Sequence, residues 1–256
     1  MAFILSLAFI FGSAVGSFLN VVIDRVVVGQ SIMGRSRCDH CRAKLSSLDL
    51  IPIVSFITLG ARCRYCRKPL SAQYPLVEAA TAVLFVLSTL FLARAGNLNF
   101  ISLSYYLLVC AILIIVAVVD IKFSLIPTSF VYFGSLVALV YNFLFLTQGE
   151  FINGIVAAFA AAVFFGFIVL VTLRRGMGEG DVVLGFFIGM VLGVARTSLA
   201  VFLAFFLGAV VSLALIFFGK KKFGQTVPFA PFLVLGMLIA MFWGEQIVGW
   251  YLRLYR

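Results

Sequence analysis

Apolar runs of ~20 residues recur along this chain, each long enough to cross roughly 30 Å of hydrocarbon as an α-helix. Eight can be counted, at about 1–23, 75–93, 101–119, 128–147, 151–173, 182–195, 197–218 and 228–250. The sixth is short and reads as a tight pair with the seventh through the segment Gly193 to Thr197. With 64% hydrophobic and only 11% charged residues, the chain has too little polar surface to wrap a soluble globule of 256 residues. The expected fold is an all-α integral membrane protein with about eight transmembrane helices.

The first run has no basic residue ahead of it, and its first cation is Arg25. That pattern fits a retained helix with its N-terminus outside better than a cleaved secretory signal. Alternation then places 24–74, 120–127, 174–181 and 219–227 in the cytosol. Those segments hold 15 of the 19 Lys and Arg residues, and only Arg94, Arg196, Arg253 and Arg256 fall elsewhere. Basic residues concentrate on the inner side of membrane proteins, so charge and alternation agree. The formal charge of +10 therefore reads as an orientation signal and a contact for anionic lipid headgroups, not as a nucleic-acid surface.

The one substantial polar segment, about 24–74, carries Cys38-x2-Cys41 and Cys63-x2-Cys66. Two thiolates two residues apart can chelate one ion from one turn, and two such turns complete a tetrahedral zinc site. Two disulfides are the alternative, which a reducing cytosol disfavours. A loop of this size has few core residues, so a structural role for the metal is expected. Asp39 and His40 lie inside the first pair and are further possible ligands, although four thiolates already fill the site. Cys110 sits in an apolar run and reads as an inert small hydrophobe.

Few of the nine acids abut long apolar runs, but Asp120 and Asp181 do, and alternation puts both at the same face. A single acid at a helix end commonly marks where the chain leaves the bilayer; two at one depth point to chemistry. Neighbouring carboxyl groups cannot both ionise easily, so one keeps a proton while the other is a carboxylate. Such a pair can activate water against an amide without a covalent intermediate. His40 is the only histidine, which leaves no free base for a serine or cysteine triad and no second histidine for a metalloprotease helix. Gly176, Gly178 and Gly180 precede Asp181, and a backbone without side chains would let an extended substrate strand come close. Ile126-Pro127 accounts for a break after Asp120, since proline suits the first turn of the next helix.

Taken in order, these residues resemble the type IV prepilin peptidases, membrane aspartic proteases with a Gly-x-Gly-Asp motif. Gly16 to Arg25 is similar to the family's opening helix, and the segments Arg37 to Cys41, Asp49 to Phe56, Ala61 to Cys66 and Pro69 to Thr81 to its cytosolic cysteine domain. Asp120 with Ile126-Pro127 resembles the first catalytic motif, Gly178 to Asp181 the second, and Val227 to Leu233 the final one. Ala230 stands where the family often has glycine, and Val183 where a lysine commonly follows the aspartate.

The resemblance implies a bifunctional enzyme of the bacterial inner membrane, serving a type IV pilus or type II secretion system. It would cut the basic leader from prepilins or pseudopilins, usually between glycine and phenylalanine, with Asp120 and Asp181 catalytic. It would then methylate the new N-terminal amine from S-adenosylmethionine. No strand followed by a glycine-rich nucleotide turn is present, so methyl transfer rests on the resemblance. Residues 1–100 would form the methyltransferase part and 101–256 a six-helix peptidase part. Asp24, Asp39, Asp49, Glu78 and Glu179 are the acids that could receive the basic leader, and Glu78, at the start of the second helix, is preferred. The competing class is a transporter or assembly factor with a structural zinc loop, which would not need the paired aspartates.

Overall fold

The computed structural model describes residues 1–27, 29–38, 40–173, 177–219 and 227–253. Asp39 and Gly176, with the cations Arg174, Arg175 and Lys220 to Lys222, lie outside the described residues. Among those described, the chain is helical and has only isolated β-bridges. In order come α1 (Ala2–Val26), the short α2 (Val54–Thr58), α3 (Gln73–Arg94), α4 (Phe100–Phe123), α5 (Thr128–Phe145), α6 (Gln148–Val171), α7 (Glu179–Leu192), α8 (Val194–Phe217) and α9 (Ala230–Arg253). All eight apolar runs are helices. Seven of these helices are long and apolar enough to cross a membrane. The sixth run, α7, has 14 residues, and a helix of that length spans only ~21 Å. Large apolar side chains such as Phe133, Phe159, Phe167 and Phe202 face outward, while Ser88, Thr89, Ser135 and Asn142 are buried. That inversion suits a lipid solvent: Thr89 and Ser135 are satisfied by carbonyls of their own helices, while Ser88 and Asn142 reach a neighbouring one.

The chain divides into two compact units, Met1–Ile115 and Val116–Arg256, with the boundary inside α4. The part of α4 up to Ile115 belongs with α3, through the contact of Cys110 Sγ with Ser88 Oγ at 3.5 Å and the Phe91 and Tyr106 rings 5.6 Å apart.

In the first unit α1 and α3 run antiparallel: Gly12 backs onto Ala82, Gly16 onto Glu78, and Asn20 Nδ2 donates to the Tyr74 carbonyl at 3.1 Å. The approach is close because α1 has no side chain at Gly12 and Gly16. A Cβ on Gly16 would lie 2.7 Å from Glu78 Cα and 2.9 Å from Thr81 Oγ1.

In the second unit α7 packs along α6 and against α5, and α8 packs along α9. A helix as short as α7 leaves its last carbonyls inside the protein. Asn142 Nδ2 of α5 meets one of them, the Met190 carbonyl, at 2.7 Å. The break after Asp120 falls later than the sequence suggested. Asp120 lies in the last turn of α4, the helix runs on to Phe123, and it is Ser124 at φ +53° that turns the chain, its amide donating to the Asp120 carbonyl at 2.8 Å. Pro127 then precedes α5 at its N-cap position.

The α1–α3 seam gives a stability test: Gly16→Val forces a branched side chain against backbone and should cost ~1–3 kcal/mol. Unfolding of the purified protein in detergent by denaturant titration measures it; Gly149→Val, at a glycine with nothing within 4 Å, should cost less.

Candidate functional site

Asp181 is the third residue of α7, and its position follows from the helix start that Gly178 caps. Its Oδ2 accepts from the Gly178 amide at 3.2 Å, the reciprocal arm of a capping box. Its Oδ1 is buried and has no hydrogen-bond partner among the described residues. Asp120 Oδ2 accepts from the Ala230 amide at 3.2 Å. Ala230 is fully buried at the first residue of α9, so the donor is one of the amides that a helix start leaves without an internal partner. The partial positive charge of that helix start also favours an anion there. Both carboxyl groups are 6% exposed, and Asp120 acts electrostatically on Asp181. The sequence pattern thus brings two acids together from the end of α4 and the start of α7. Its third element, Val227 to Leu233, had no assigned role; the amide of Ala230 supplies one.

The glycines divide. Gly178 is exposed and caps α7, whereas Gly180 is closed off: a Cβ there would lie 2.7 Å from Ile126 Cβ. At Gly180 the missing side chain makes room for the protein's own Ile126 rather than for a substrate strand. Glu179, between them, is exposed.

Glu78 departs from expectation. It lies in the second turn of α3, not at its start, and is 7% exposed. Its Oε2 accepts from the Ile53 amide at 2.7 Å. Ile53 has φ +63° and ψ −50°, and the Val54 amide donates back to the Pro52 carbonyl. This is the rare, strained γ-turn, and a residue held in such a conformation costs about 1–3 kcal/mol. A buried carboxyl engaged this way is not a surface acid waiting for a basic leader. Asp49 is similarly engaged: it caps the 3-10 turn Ser47–Leu50 and meets Arg64 Nε at 2.6 Å. Against the effect of burial, the Ser46 amide and the Arg64 guanidinium hold its carboxyl below the ordinary range.

The four cysteines converge, with sulfurs within 4.8 Å of one another and Cys38 Sγ 3.9 Å from Cys66 Sγ. A tetrahedral zinc with bonds of ~2.3 Å needs sulfurs ~3.8 Å apart, so the donor set fits. All five cysteines are free thiols. The two pairs sit on two turns of the same kind. Arg42 and Arg67 donate to the carbonyls of Cys38 and Cys63 at 2.9 Å each, and both take φ +55°. Cys38 and Cys63 in turn donate to the Ala43 and Lys68 carbonyls. Behind this is a repeat, Arg-Cys-x-x-Cys-Arg-x-x-Leu at Arg37 to Leu45 and Arg62 to Leu70, which the cysteine spacing alone did not reveal. Burial raises the Cys38 thiol, but the amides of Cys41 and His40 and the neighbouring sulfurs bring it down to about 7. The Lys68 amide lowers Cys66, yet burial and the other three sulfurs push it up to about 11.

A multi-pass helical protein with a four-thiol cluster and two buried carboxyls held by helix starts is the class that fold and site define. The family model described as the bacterial peptidase A24 N-terminal domain matches residues 10–92, and that of the type IV leader peptidase family matches residues 107–213. The prepilin leader peptidase/N-methyltransferase of Bacillus subtilis (strain 168) is 35% identical over 260 residues, covering 98% of each chain. Those of Aeromonas hydrophila and Legionella pneumophila are each 30% identical, covering 96% and 95% of this chain and 93% and 92% of the relative. No solved structure gives a significant match. The chain belongs to the type IV leader peptidase family.

The tight fit beneath Asp181 predicts a coupled pair. Gly180→Ala should destabilise by ~1–3 kcal/mol, and adding Ile126→Gly, which removes the Cβ that alanine would keep, should recover part of that loss, with a coupling of ~0.5–3 kcal/mol. A double-mutant cycle on unfolding free energies measures it, and strictly additive losses would remove Ile126 as the reason for the glycine.

Proposed function

We propose that the chain is a membrane-embedded aspartic endopeptidase that removes the basic leader of type IV prepilins or pseudopilins, and that it then N-methylates the new N-terminal residue from S-adenosylmethionine. The site acts at the cytosolic face of the bacterial inner membrane, with the N-terminus outside. The observation that carries the peptidase reading is the pair Asp120 and Asp181, each 6% exposed, each with one oxygen on a backbone amide, and one with its second oxygen free of any partner. In the proposed reaction one carboxyl is ionised and takes a proton from water as the water oxygen attacks the scissile carbonyl. The neutral carboxyl hydrogen-bonds the carbonyl oxygen and protonates it. The first carboxyl, now protonated, gives its proton to the leaving amine as the tetrahedral intermediate collapses, and the second takes back a proton from the diol. Oδ1 of Asp181 is the atom best placed for the water or the carbonyl, since nothing else occupies it.

The printed names of the relatives supply the support for methyl transfer and for prepilins as substrates. Cys38, Cys41, Cys63 and Cys66 hold one structural zinc, which orders a segment that lacks a core of its own. A transporter or scaffold reading has no observation in its favour beyond the helices themselves.

The test of the dyad is cleavage of a prepilin substrate by the purified protein. Asparagine keeps the shape of aspartate but neither takes nor gives a proton in this way. Asp120→Asn and Asp181→Asn should each lower cleavage by roughly 10²–10⁴, and the double variant should be hardly worse than either because the two act as a unit. Glu179→Gln, at an exposed neighbour, should keep most turnover. A well-folded asparagine variant that cuts at near the parent rate sinks the dyad.

The metal has its own test. Elemental analysis should find about one zinc per chain. Cys63→Ser should empty the site and make 30–70 sensitive to limited proteolysis, whereas Cys110→Ser, at a thiol far from the cluster in sequence and bonded to Ser88, should change neither. Full occupancy in Cys63→Ser would mean that other ligands hold the ion.

A further inference from the structure

Between α1 and α3 the chain exposes an apolar face where a segment standing in water would show charge. From Leu48 to Thr58 its only charged residue is Asp49, which is spent on the Ser46 amide and on Arg64. Leu48 and Ile51 are exposed, and so, three residues apart on one side of α2, are Val54 and Ile57, at 53% and 70%. We infer that this face is an interfacial anchor: α2 lies on the membrane that its neighbours cross, with Ile51, Val54 and Ile57 set between the headgroups and the acyl chains of anionic lipids. The inference needs only that α1 and α3 span the membrane, and it stands or falls apart from the peptidase and methyltransferase readings.

Glu78 sets the depth of α2. With 22 residues, α3 is ~33 Å long, and hydrocarbon takes up ~30 Å of that. Only ~3 Å is left to share between its two ends, whereas Glu78, five residues beyond Gln73, lies ~7.5 Å along the helix axis. The Glu78 backbone is therefore below the hydrocarbon edge. Gly16 of α1, which backs onto it, has ten more residues of helix to run before Val26. A helical side chain leans back toward the start of its own helix, so the Ile53 amide that Glu78 holds at 2.7 Å comes to the lipid–water boundary, and α2 begins one residue later. Leu76, two residues before Glu78, is exposed, so the lipid-facing side of α3 reaches the same level.

A short helix at that boundary has to satisfy its own backbone, since hydrocarbon offers no hydrogen bonds. The amides of Val54, Ser55, Ile57, Leu59, Gly60 and Ala61 all donate to carbonyls between Ile51 and Ile57. Thr58 Oγ1 turns back to the Val54 and Ser55 carbonyls at 2.9 and 3.3 Å. The same closure argues against an extended peptide as the occupant, because strand addition needs amides and carbonyls left open. Charge favours lipid phosphate. Arg62, Arg67 and Lys68, in the cysteine turn that follows α2, are exposed, and basic residues beside an apolar helix face suit anionic headgroups.

The test places the full chain in nanodiscs containing phosphatidylglycerol and reads depth by fluorescence. Trp243 and Trp250 are the only tryptophans, so Trp243→Phe with Trp250→Phe gives a silent background for Ile57→Trp. The new indole should lose roughly half or more of its emission to lipid brominated high on the acyl chain, as burial of ~5–10 Å into the boundary requires, and less to lipid brominated near the chain end. Acrylamide in the water should quench it only weakly. Val54→Trp, on the same side of the helix, should behave alike. On the unaltered chain, a phospholipid with a photoreactive group near its headgroup should label 48–58 as well as α1 and α3. Strong acrylamide quenching with no effect of either brominated lipid would overturn the anchor, and so would photolabel on α1 and α3 that spares 48–58. An indole shielded only when a prepilin peptide is added would assign the face to the substrate and overturn it too.

Discussion

A carboxyl group enclosed by helices in a membrane must find a donor that does not itself bring a desolvated charge, because burying an unmatched ion is costly. The three buried acids among the described residues meet that constraint in the same manner. Asp181 takes the Gly178 amide at the start of α7, Asp120 the Ala230 amide at the start of α9, and Glu78 the Ile53 amide at a strained turn. Helix starts and tight turns have amides to spare, and they carry partial rather than full charge. Much of the architecture follows. α7 has to begin where Asp181 can cap it, and the chain before α9 has to return to the end of α4. The loop after α1 has to adopt a conformation that a β-branched residue resists.

Partial charge also leaves the acids able to change protonation state. A lysine or arginine partner would pin Asp120 or Asp181 as a carboxylate, and a pinned carboxylate cannot donate to a carbonyl oxygen. A single amide on one oxygen fixes the orientation of the group and leaves the other oxygen open, as the proposed peptidase reaction requires. In Asp181 that second oxygen is buried with no partner, a costly state that persists when something outside the chain is meant to complete it.

The helices and the cysteine cluster were legible for simple reasons: a membrane demands long apolar runs, and a four-thiolate site demands paired spacing. What could not be read were contacts through the backbone, which leaves no mark in residue type. Nothing in Val227 to Leu233 says that its value to Asp120 is an amide. The burial of Glu78 depends on Gly12 and Gly16 drawing α1 onto α3, so that an acid in what looked like an interfacial turn is enclosed. Gly180 misled in the opposite direction, since a glycine beside a catalytic-looking aspartate suggests access, and Ile126, far away in sequence, fills the space. The end of α4 was placed too early because an acid closing an apolar run looks like the edge of the helix, while the left-handed turn falls on Ser124, a residue with no special freedom there.

The same distinction between backbone and side chain bears on the departures from the family pattern. Alanine at 230, where glycine is frequent, would matter if the position needed a positive φ or an empty space. It needs neither here, because Ala230 begins α9 and its methyl group is fully buried within the second unit. What Asp120 uses is the N–H, which alanine offers as well as glycine does; only proline would take it away. Val183 is half-buried on α7, two residues beyond Asp181. Residues two apart on a helix do not share a face, so the lysine missing from this position would not have lain beside the Asp181 carboxyl. Both departures therefore leave intact the two hydrogen bonds by which the paired acids are held.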